Sequence, residues 1–236
     1  YYPPNSSVYH EVELDEVSDE CEDDSKVCAK TIRVGARMDI ASLVKASLKY
    51  NMSKCNKSRR KRVTGDQGVA SATGDQSVAY VTGDYSAASV TGYQSVASAA
   101  GIQSTASATD DYSATFAEGD YSAASATGDQ SAVSATGKGG VASATGDKGA
   151  AFATGNYSAA LVTGCRGAAS ADNPTAIAVA WGLKGRAKGV LGAYIVCTEW
   201  KEGKLICAKM AQVDGVTIKA DTYYVLVDGN FVEMDE

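Results

Sequence analysis

A nine-residue pattern of small and polar positions governs the middle of the chain. Thirteen copies follow one another over residues 64–180 without insertion, and the unit reads approximately T-G-D-[QY]-S-[AV]-A-S-[AV]. Column five holds Ser, Gly or Ala, column seven is nearly always Ala, and column nine is always Ala or Val. Alternation with a period of two is typical of a β-strand with one buried face. We therefore expect one short strand per repeat, with these three columns pointing inward and columns four, six and eight facing solvent.

The first three columns predict a turn. Thr fills column one in ten of the thirteen copies, and Gly fills column two in eleven. Gly permits a positive φ, and Asp in column three can accept hydrogen bonds from nearby backbone amides. Asp110 and Asn173 replace Gly in column two, and both residue types tolerate the left-handed conformation. We expect Thr-Gly-Asp to connect successive strands.

One strand and one turn cannot close a coil, so two repeats are expected to form each coil of about 18 residues. The predicted fold is mainly β: a flat, two-sheet β-solenoid of nine-residue half-rungs, with successive coils about 4.8 Å apart. We place the solenoid at residues 64–192, between a small α+β cap at 1–63 and a β-meander cap at 193–236. The sequence does not decide its handedness.

The two flanks have different periodicities. Residues 31–34 alternate as a strand, and after Asp39 the apolar residues 40, 43, 44 and 48 recur at helical spacing. Residues 193–199, 204–211, 213–220 and 223–227 alternate and are separated by turn sequences. Both flanks are expected to cap the solenoid, because a bare terminal coil exposes apolar surface and unpaired strand edges. The alternative use of the helical stripe is a partner groove.

The negative charge belongs to the repeats. The chain has a net charge of −6, and residues 64–180 hold 10 acidic and 3 basic side chains, whereas residues 1–62 hold 10 and 12. Seven column-three aspartates form a candidate acidic edge, split between two sides of the solenoid: Asp66, Asp75, Asp84, Asp111, Asp120, Asp129 and Asp147. This charge could mimic DNA. The first segment ends in a basic junction that could bind nucleic acid or serve as a solvated linker: Lys54, Lys57, Arg59, Arg60, Lys61 and Arg62.

Tyrosines in column four form a candidate interaction face. An 18-residue coil groups Tyr85, Tyr121 and Tyr157 on one side and Tyr112 on the other. Tyr112 would share its side with Gln76, Gln94, Gln130, Lys148 and Arg166. Aromatic side chains are frequent anchors of protein–protein contacts.

The sequence contains few residues that are arranged for catalysis. His10 is the only histidine, and the outward strand columns contain no paired carboxylates. The six cysteines lack C-x-x-C spacing and are expected to be reduced thiols of an intracellular protein. The period matches that of calcium-binding nonapeptides, but no second Asp stands at the required offset. Thr once per repeat, at the turn, does not match the Thr-x-Thr pairs of a flat ice-binding face. We expect no enzyme activity, no metal and no cofactor.

Both ends of the chain resemble a family. Tyr1-Tyr2-Pro3-Pro4-Asn5, with residues 12–14 and 30–34, resembles the second half of an uncharacterised domain of tailed-phage and prophage proteins, often followed by repeats of the T-G-D-x-S-A-A-S type. Residues 178–182, 188–192, 213–219 and 222–224 resemble the closing block of such proteins. The Gly-x-x-Ser-x-Ala pattern also resembles, more distantly, the head repeats of trimeric adhesins. The phage resemblance implies a fragment of a longer protein and a setting in a phage or its bacterial host, without a mechanism.

The expected function is that of a non-enzymatic interaction or structural protein. A rigid solenoid would bind a protein partner, or copies of itself in an oligomer or filament, through its regular faces. The alternative is a DNA-mimicking or nucleic-acid-binding factor that acts on a host system. No apolar stretch is long enough for a membrane span, and the expected location is the cytoplasm of the bacterial host, with association with the virion as a second setting.

Overall fold

The computed structural model describes residues 9–17, 29–38 and 60–234. The chain divides into two compact units, Tyr1–Lys54 and Cys55–Glu236. Within the first unit, β1 (Tyr9–Val17) and β2 (Ala29–Met38) pair as an antiparallel ladder with an irregularity between His10 and Val12. The strand expected at residues 31–34 therefore exists within β2. The helix expected after Asp39 lies outside the described residues.

The second unit is a β-solenoid whose coils each contribute one strand to each of two stacked sheets. Its regular strands are four or five residues long, with these bounds: β3 (Arg60–Thr64), β4 (Val69–Thr73), β5 (Val78–Thr82), β6 (Ala87–Thr91), β7 (Val96–Ala100), β8 (Thr105–Thr109), β9 (Ala114–Glu118), β10 (Ala123–Thr127), β11 (Ala132–Thr136), β12 (Val141–Thr145), β13 (Ala150–Ala153), β14 (Ala159–Thr163), β15 (Ala168–Ala171), β16 (Ile177–Ala180) and β17 (Arg186–Gly189).

The closing strands are β18 (Tyr194–Lys201), β19 (Lys204–Gln212), β20 (Tyr224–Val227) and β21 (Asn230–Glu233). Sheet 1 contains the odd-numbered strands β3 to β17, followed by β20 and β21; sheet 2 contains the even-numbered strands β4 to β18, followed by β19. Neighbouring regular strands are parallel and in register, as where Ala124 of β10 pairs with Ala142 of β12. The coil of 18 residues and the mainly β, two-sheet solenoid are confirmed.

The core is a thin layer of small side chains between the two sheets. Columns seven and nine supply buried Ala and Val from nearly every coil, and the serines of column five are buried beside them. Columns six and eight point outward as expected, although three of their residues are buried. Val78 is buried where the neighbouring strand carries Arg60 in the same column, and Ala168 is buried where it carries Arg186. Ser170 is buried and donates a hydrogen bond to Asp172.

The turn differs from the expectation in two columns. Column one is the last residue of most strands rather than part of the turn, so its Thr side chains lie on the outer surface of the sheets. Column four takes the left-handed conformation although it holds Gln, Tyr, Lys or Arg, with φ of 58° at Tyr85. Asp110 has the expected positive φ of 96°, whereas Asn173 is not among the positive-φ residues. Positive φ values therefore occur in column four as well as in column two, and both columns determine the conformation of the turn.

Glycine in column two is required by the neighbouring coil as well as by φ. A Cβ placed on Gly83, whose φ is +135°, would lie 2.3 Å from the carbonyl oxygen of Gly65 in the preceding coil. Backbone atoms of both residues are fixed by the ladder, because the N–H of Gly65 donates to Thr82 at 2.8 Å. Any side chain at Gly83 would force the coils apart.

Buried serines of column five tie successive coils together. Ser122 donates its hydroxyl to the carbonyl of Gly101 at 2.9 Å and accepts the backbone N–H of Ser104 at 3.2 Å. Ser104 makes the corresponding bonds to Gly83 and Ser86 one coil earlier, at 3.1 and 3.4 Å. The hydroxyls of Ser104 and Ser122 therefore each satisfy one donor and one acceptor that the corner of the coil would otherwise leave buried without a partner. The column-five hydroxyl of Ser131 is buried without such a partner.

Two antiparallel pairs follow the last regular coil. β18 continues sheet 2 beside β16 and turns back into β19, and β20 joins β17 of sheet 1 and pairs with β21. The segment expected as a strand at residues 213–220 is instead a loop. One Asp214 carboxylate oxygen accepts the backbone N–H groups of Val216, Thr217 and Ile218 at 2.8–2.9 Å, which holds that loop in a compact turn.

Candidate interaction surfaces

The column-four tyrosines lie on the edges of the solenoid, at the turns, and not on the flat faces. The first edge consists of the turns that lead from sheet 1 to sheet 2, and it carries Tyr85, Tyr121 and Tyr157, which are 61%, 57% and 69% exposed. These side chains are two coils apart. A Cβ on Gly139, one coil beyond Tyr121, would lie 2.9 Å from that ring, so the ring rests over the glycine.

Tyr112 lies on the second edge, formed by the turns that lead from sheet 2 to sheet 1. Its ring meets Tyr93 edge-on at a centroid distance of 5.2 Å, and its hydroxyl accepts a hydrogen bond from the Gln130 side chain at 2.9 Å. Tyr93 occupies column three, where most copies have Asp. The grouping of the four tyrosines by coil is as expected, but neighbouring coils engage Tyr112 more than the other three.

The seven aspartates of the candidate acidic edge have a structural partner in the next coil. Six of them accept the backbone N–H of the residue 18 positions later, with distances of 2.7–3.2 Å, and the pairs are Asp66–Asp84, Asp75–Tyr93, Asp84–Ile102, Asp111–Asp129, Asp129–Asp147 and Asp120–Lys138. Asp147 does the same with Cys165 at 2.9 Å. The aspartates therefore extend the ladder through the turns.

The two edges differ in charge. The first edge carries Asp66, Asp84 and Asp120. The second carries Asp75, Asp111, Asp129 and Asp147, of which the last three stack on successive coils. Column four of that second edge also carries the only basic residues of residues 64–180 apart from Lys138, namely Lys148 and Arg166. The acidic stack therefore has positive charge at one end.

The structure describes only part of the basic junction. Lys54, Lys57 and Arg59 lie outside the described residues, whereas Arg60, Lys61 and Arg62 form the start of β3. Arg60 and Arg62 point to the outer side of sheet 1, and the guanidinium of Arg62 lies 5.6 Å from the centroid of the Tyr80 ring. These two arginines therefore border a sheet face.

Columns six and eight lack charge on both outer faces of the solenoid. In columns six and eight, sheet 1 has 12 residues from β5 to β15 and sheet 2 has 14 from β4 to β16, and none of them is acidic or basic. Every charged residue of residues 64–180 stands in columns one to four. Soluble proteins usually place charges on exposed strands, where they also block edge-to-edge and face-to-face association.

Sheet 1 carries a stripe of aromatic rings that the nine-residue pattern did not predict. Column eight of this sheet holds Tyr80, Phe116 and Phe152 on β5, β9 and β13, and serines on the strands between them, Ser98, Ser134 and Ser170. We call the outer surface of β5 to β15 the aromatic face. Its signal in the sequence is a period of 36 residues, two coils, superimposed on the period of nine.

Sheet 2 presents hydroxyl groups instead. From β4 to β12, column eight of this sheet is Ser71, Ser89, Ser107, Ser125 and Ser143, and two residues later on each of these strands column one is Thr. Column eight of β14 and β16 holds Leu161 and Val179 instead. These Ser-x-Thr pairs lie on the strand and not at the turn, which corrects the expected position of the threonines. The Thr109 hydroxyl donates to Thr91 at 3.2 Å along this stripe.

The three described cysteines are free thiols, in agreement with the expectation for them. Burial raises the pKa of Cys197 to about 12, and burial is also the main cause that raises the pKa of Cys165 and Cys207. Cys21, Cys28 and Cys55 lie outside the described residues. Within residues 9–17, 29–38 and 60–234, no three His, Cys, Asp or Glu side chains are grouped as metal ligands.

In the part of the chain that the structure describes, no helix is long and apolar enough to span a membrane. No protein-family model, no curated protein and no solved structure matches this chain.

Proposed function

We propose that this chain is a non-enzymatic interaction or structural protein of phage or prophage origin. Its rigid solenoid binds a protein partner, or further copies of itself, through the regular outer faces of the two sheets. The phage origin, and with it a location in the bacterial cytoplasm or in a virion, rests on the resemblance of the terminal segments alone.

The distribution of charge is the observation that carries the proposal. No charged residue of residues 64–180 stands in column six or eight, and the 26 outward positions in these columns of both faces are Ala, Ser, Thr, Val, Ile, Leu, Phe or Tyr. The acidic Glu118 stands in column one, at the end of β9. A flat surface without charge loses little free energy of solvation when another surface covers it. An outer face that contacted only solvent would be expected to carry charged side chains in some of these coils.

Rigidity is the second support. The column-five hydroxyls, the column-three carboxylates and the strand ladders each connect one coil to the next, as at Ser122, Asp129 and Ala124. Repeat architectures of this kind behave as rods with fixed spacing between equivalent side chains. A partner that matches one coil therefore matches its neighbours, and weak contacts add along the rod.

The alternative function is DNA mimicry or nucleic-acid binding. The stack of Asp111, Asp129 and Asp147 on the second edge favours the mimic, because successive carboxylates recur once per coil, about 4.8 Å apart. Arg60 and Arg62 at the start of sheet 1 favour direct binding. Either contact would be electrostatic and would weaken as salt rises.

One experiment separates the two functions. The full chain is immobilised, exposed to bacterial lysate over a salt series, and compared with a face variant and an edge variant, while its own oligomeric state is measured by light scattering. The face variant Ser107→Lys/Ser125→Lys/Ser134→Lys places charge on both sheets. The edge variant Asp111→Asn/Asp129→Asn removes charge but keeps an oxygen that accepts the same N–H groups.

We expect self-association or partner retention to survive the edge variant and to be lost in the face variant, with circular dichroism showing both folded. Retention that survives the face variant but disappears in the edge variant and at high salt would support the alternative. A chain that is monomeric and retains nothing would contradict both functions.

A further inference from the structure

The aromatic face has a regular relief. Its rings and serines share column eight, the middle outward position of each strand, so the rings form ridges and the serines form the slots between them. Tyr80, Phe116 and Phe152 recur every 36 residues, which corresponds to two coils, or about 9.6 Å. All three rings are half-buried, so each is partly covered by its neighbours. Ridge and slot are each one coil wide.

This relief is complementary to itself. The six coils from β5 to β15 alternate between a ring and a serine. When the order of the coils is reversed, each position that held a ring holds a serine. A two-fold axis along the strand direction, between β9 and β11, sets each coil of one copy against the mirrored coil of the other. Phe116 then lies opposite Ser134, and Phe152 opposite Ser98. Tyr80 lies opposite Ser170, which is already buried within its own copy and offers no open slot. A parallel arrangement would instead bring every ring level with its own equivalent.

From this complementarity we infer that the aromatic face is a docking surface for a second copy of this chain, with the two solenoids antiparallel and with Phe116 and Phe152 each seated over a serine. The inference deepens the proposed function and rests on it. Two sheets packed face to face lie about 10 Å apart and interdigitate in this way in β-sandwiches. A two-fold axis requires a self-complementary surface, which the alternation supplies.

Charge at the rim agrees with the antiparallel arrangement. Column one of sheet 1 contains Glu118 and Asp172. The same axis places Glu118 across from Thr136 of the other copy, and Asp172 across from Thr82. No acidic residue of the face meets another one, although the chain as a whole is negative.

Only the ends of the face bring like charges together. Arg60 and Arg62 of β3 would approach Arg186 and Lys188 of β17 in the other copy. The latter two lie 4.7 and 5.2 Å from the ring of Tyr223, which covers them in part. Because salt screens this repulsion, association should strengthen as salt rises, which is the opposite of an electrostatic contact with nucleic acid.

The size of the face sets the expected affinity. Six strands about 4.8 Å apart and five residues of about 3.3 Å each give roughly 29 by 16 Å. Two such faces bury about 900 Å² in flat projection, and the ridges increase this area, so the contact lies near the lower limit for a specific complex. We expect a dimer with a dissociation constant in the micromolar range, visible only in a concentration series.

The test is sedimentation velocity of the full chain, at concentrations from about 1 to about 200 µM and at low and high salt. Phe116→Ser/Phe152→Ser converts two ridges to the residue that the same column holds in neighbouring coils. Ser134→Phe fills the central slot. Matched controls on sheet 2 are Leu161→Ser and Ser125→Phe, which change the same column on the other face, and circular dichroism checks the fold of each variant.

The expected result is a wild-type dimer that strengthens with salt, that weakens at least tenfold in both aromatic-face variants, and that is unchanged in both controls. A dimer that survives the aromatic-face variants and disappears with Ile206→Lys would overturn the inference, because it would place the contact at the edge strand β19. A wild-type chain that is monomeric at every concentration would also overturn it.

The proposed function can stand or fall separately from this inference. If the wild type is a monomer but its lysate partner is lost in the face variant described above, the docking of a second copy is wrong and the function through the sheet faces stands. If neither self-association nor a face-dependent partner exists, both are wrong.

Discussion

Thr115 of β9 and Val133 of β11 are directly paired in the core of the solenoid, and they differ by one hydroxyl group that has no hydrogen-bond partner. Both side chains point between the sheets from column seven, where nearly every other coil has Ala, and both are completely or almost completely buried. The Thr115 hydroxyl is thus a polar group that folding removes from water without compensation.

This pair gives a reciprocal stability prediction. Thr115→Val should raise the free energy of unfolding by about 1 kcal/mol, because it removes an unsatisfied buried hydroxyl without changing the volume. Val133→Thr in the adjacent coil should lower it by about 1–3 kcal/mol. Urea denaturation followed by circular dichroism measures both, and Thr109→Val on the outer surface is the control with little effect. A destabilised Thr115→Val variant would show that the hydroxyl has a partner after all.

The glycine of column two allows the requirement for φ to be separated from the contact between coils. Gly83 and Gly65 both have positive φ, but a Cβ at Gly83 would meet the Gly65 carbonyl at 2.3 Å, whereas a Cβ at Gly65 has nothing within 4 Å. Gly65→Ala should therefore cost about 1 kcal/mol for the left-handed backbone. Gly83→Ala should cost at least about 3 kcal/mol or prevent folding, because two backbone segments must also separate.

Thermal denaturation of the two variants measures the difference. Equal costs would contradict the close approach of the coils at this corner. Gly203, in a hairpin turn where a Cβ also has nothing within 4 Å, is a second control with a φ of +75°.

The carboxylate of Asp129 should matter as a hydrogen-bond acceptor more than as a charge. It accepts the N–H of Asp147 at 2.7 Å and stacks between two other aspartates of the same edge. Asp129→Ala should lower the free energy of unfolding by about 1 kcal/mol, since the N–H loses its partner. Asp129→Asn keeps an acceptor and relieves like-charge repulsion, so it should cost little or nothing. If Asn and Ala were equally damaging, the charge itself would be required.

Acid should loosen the closing strands before the regular coils. The N–H of Gly229, followed by that of Asp228, holds the pKa of Glu199 below its ordinary value. The N–H groups of the loop, led by Ile218, lower the pKa of Asp214 in the same way. A carboxylate with a lowered folded-state pKa stabilises the fold at pH values above its ordinary pKa, and this stabilisation is lost as the pH falls through the lowered one.

Below about pH 4 the loop and the β20–β21 pair should therefore detach progressively. Fluorescence of a Trp181→Phe variant, in which Trp200 is the remaining tryptophan, reports the event, because Trp200 directly follows Glu199 in β18. Asp214→Asn should weaken these strands at neutral pH and reduce the acid dependence. A Trp200 signal that is unchanged between pH 7 and pH 3 would contradict this prediction.

The regular part of the fold could be predicted because its determinants are local. Alternation over columns five to nine gives the inward face of each strand, and a repeat without insertion requires every coil to be equivalent. The loop at residues 213–220 could not be predicted by the same reasoning, since Val216, Ile218 and Ala220 also alternate with polar residues. Three N–H groups converging on one oxygen of Asp214 outweigh the tendency of that pattern to form a strand.

The candidate surfaces were predictable only as far as coil membership. The 18-residue period correctly groups Tyr85 with Tyr121 and Asp111 with Asp129. It could not show that column four adopts a left-handed conformation and moves the tyrosines to the edges, because Gln and Tyr carry no local signal for positive φ. Nor could it show that each aspartate accepts an N–H from the following coil, because that donor is 18 residues away.

The exact nine-residue repeat is sufficient to predict a two-sheet solenoid with a core of Ala, Val and Ser, because small side chains at alternate positions of each strand are buried when the coils stack. The division of the outer surface into two different faces depends on how the chain folds back. Closing each coil after two repeats sends Phe116 and Ser134 to one sheet and Ser107 and Ser125 to the other, so that a face of ridges and a face of hydroxyls arise from one repeat. Burial follows from the alternation of residues within each strand, whereas side chains of different coils become neighbours only when the chain has closed each coil.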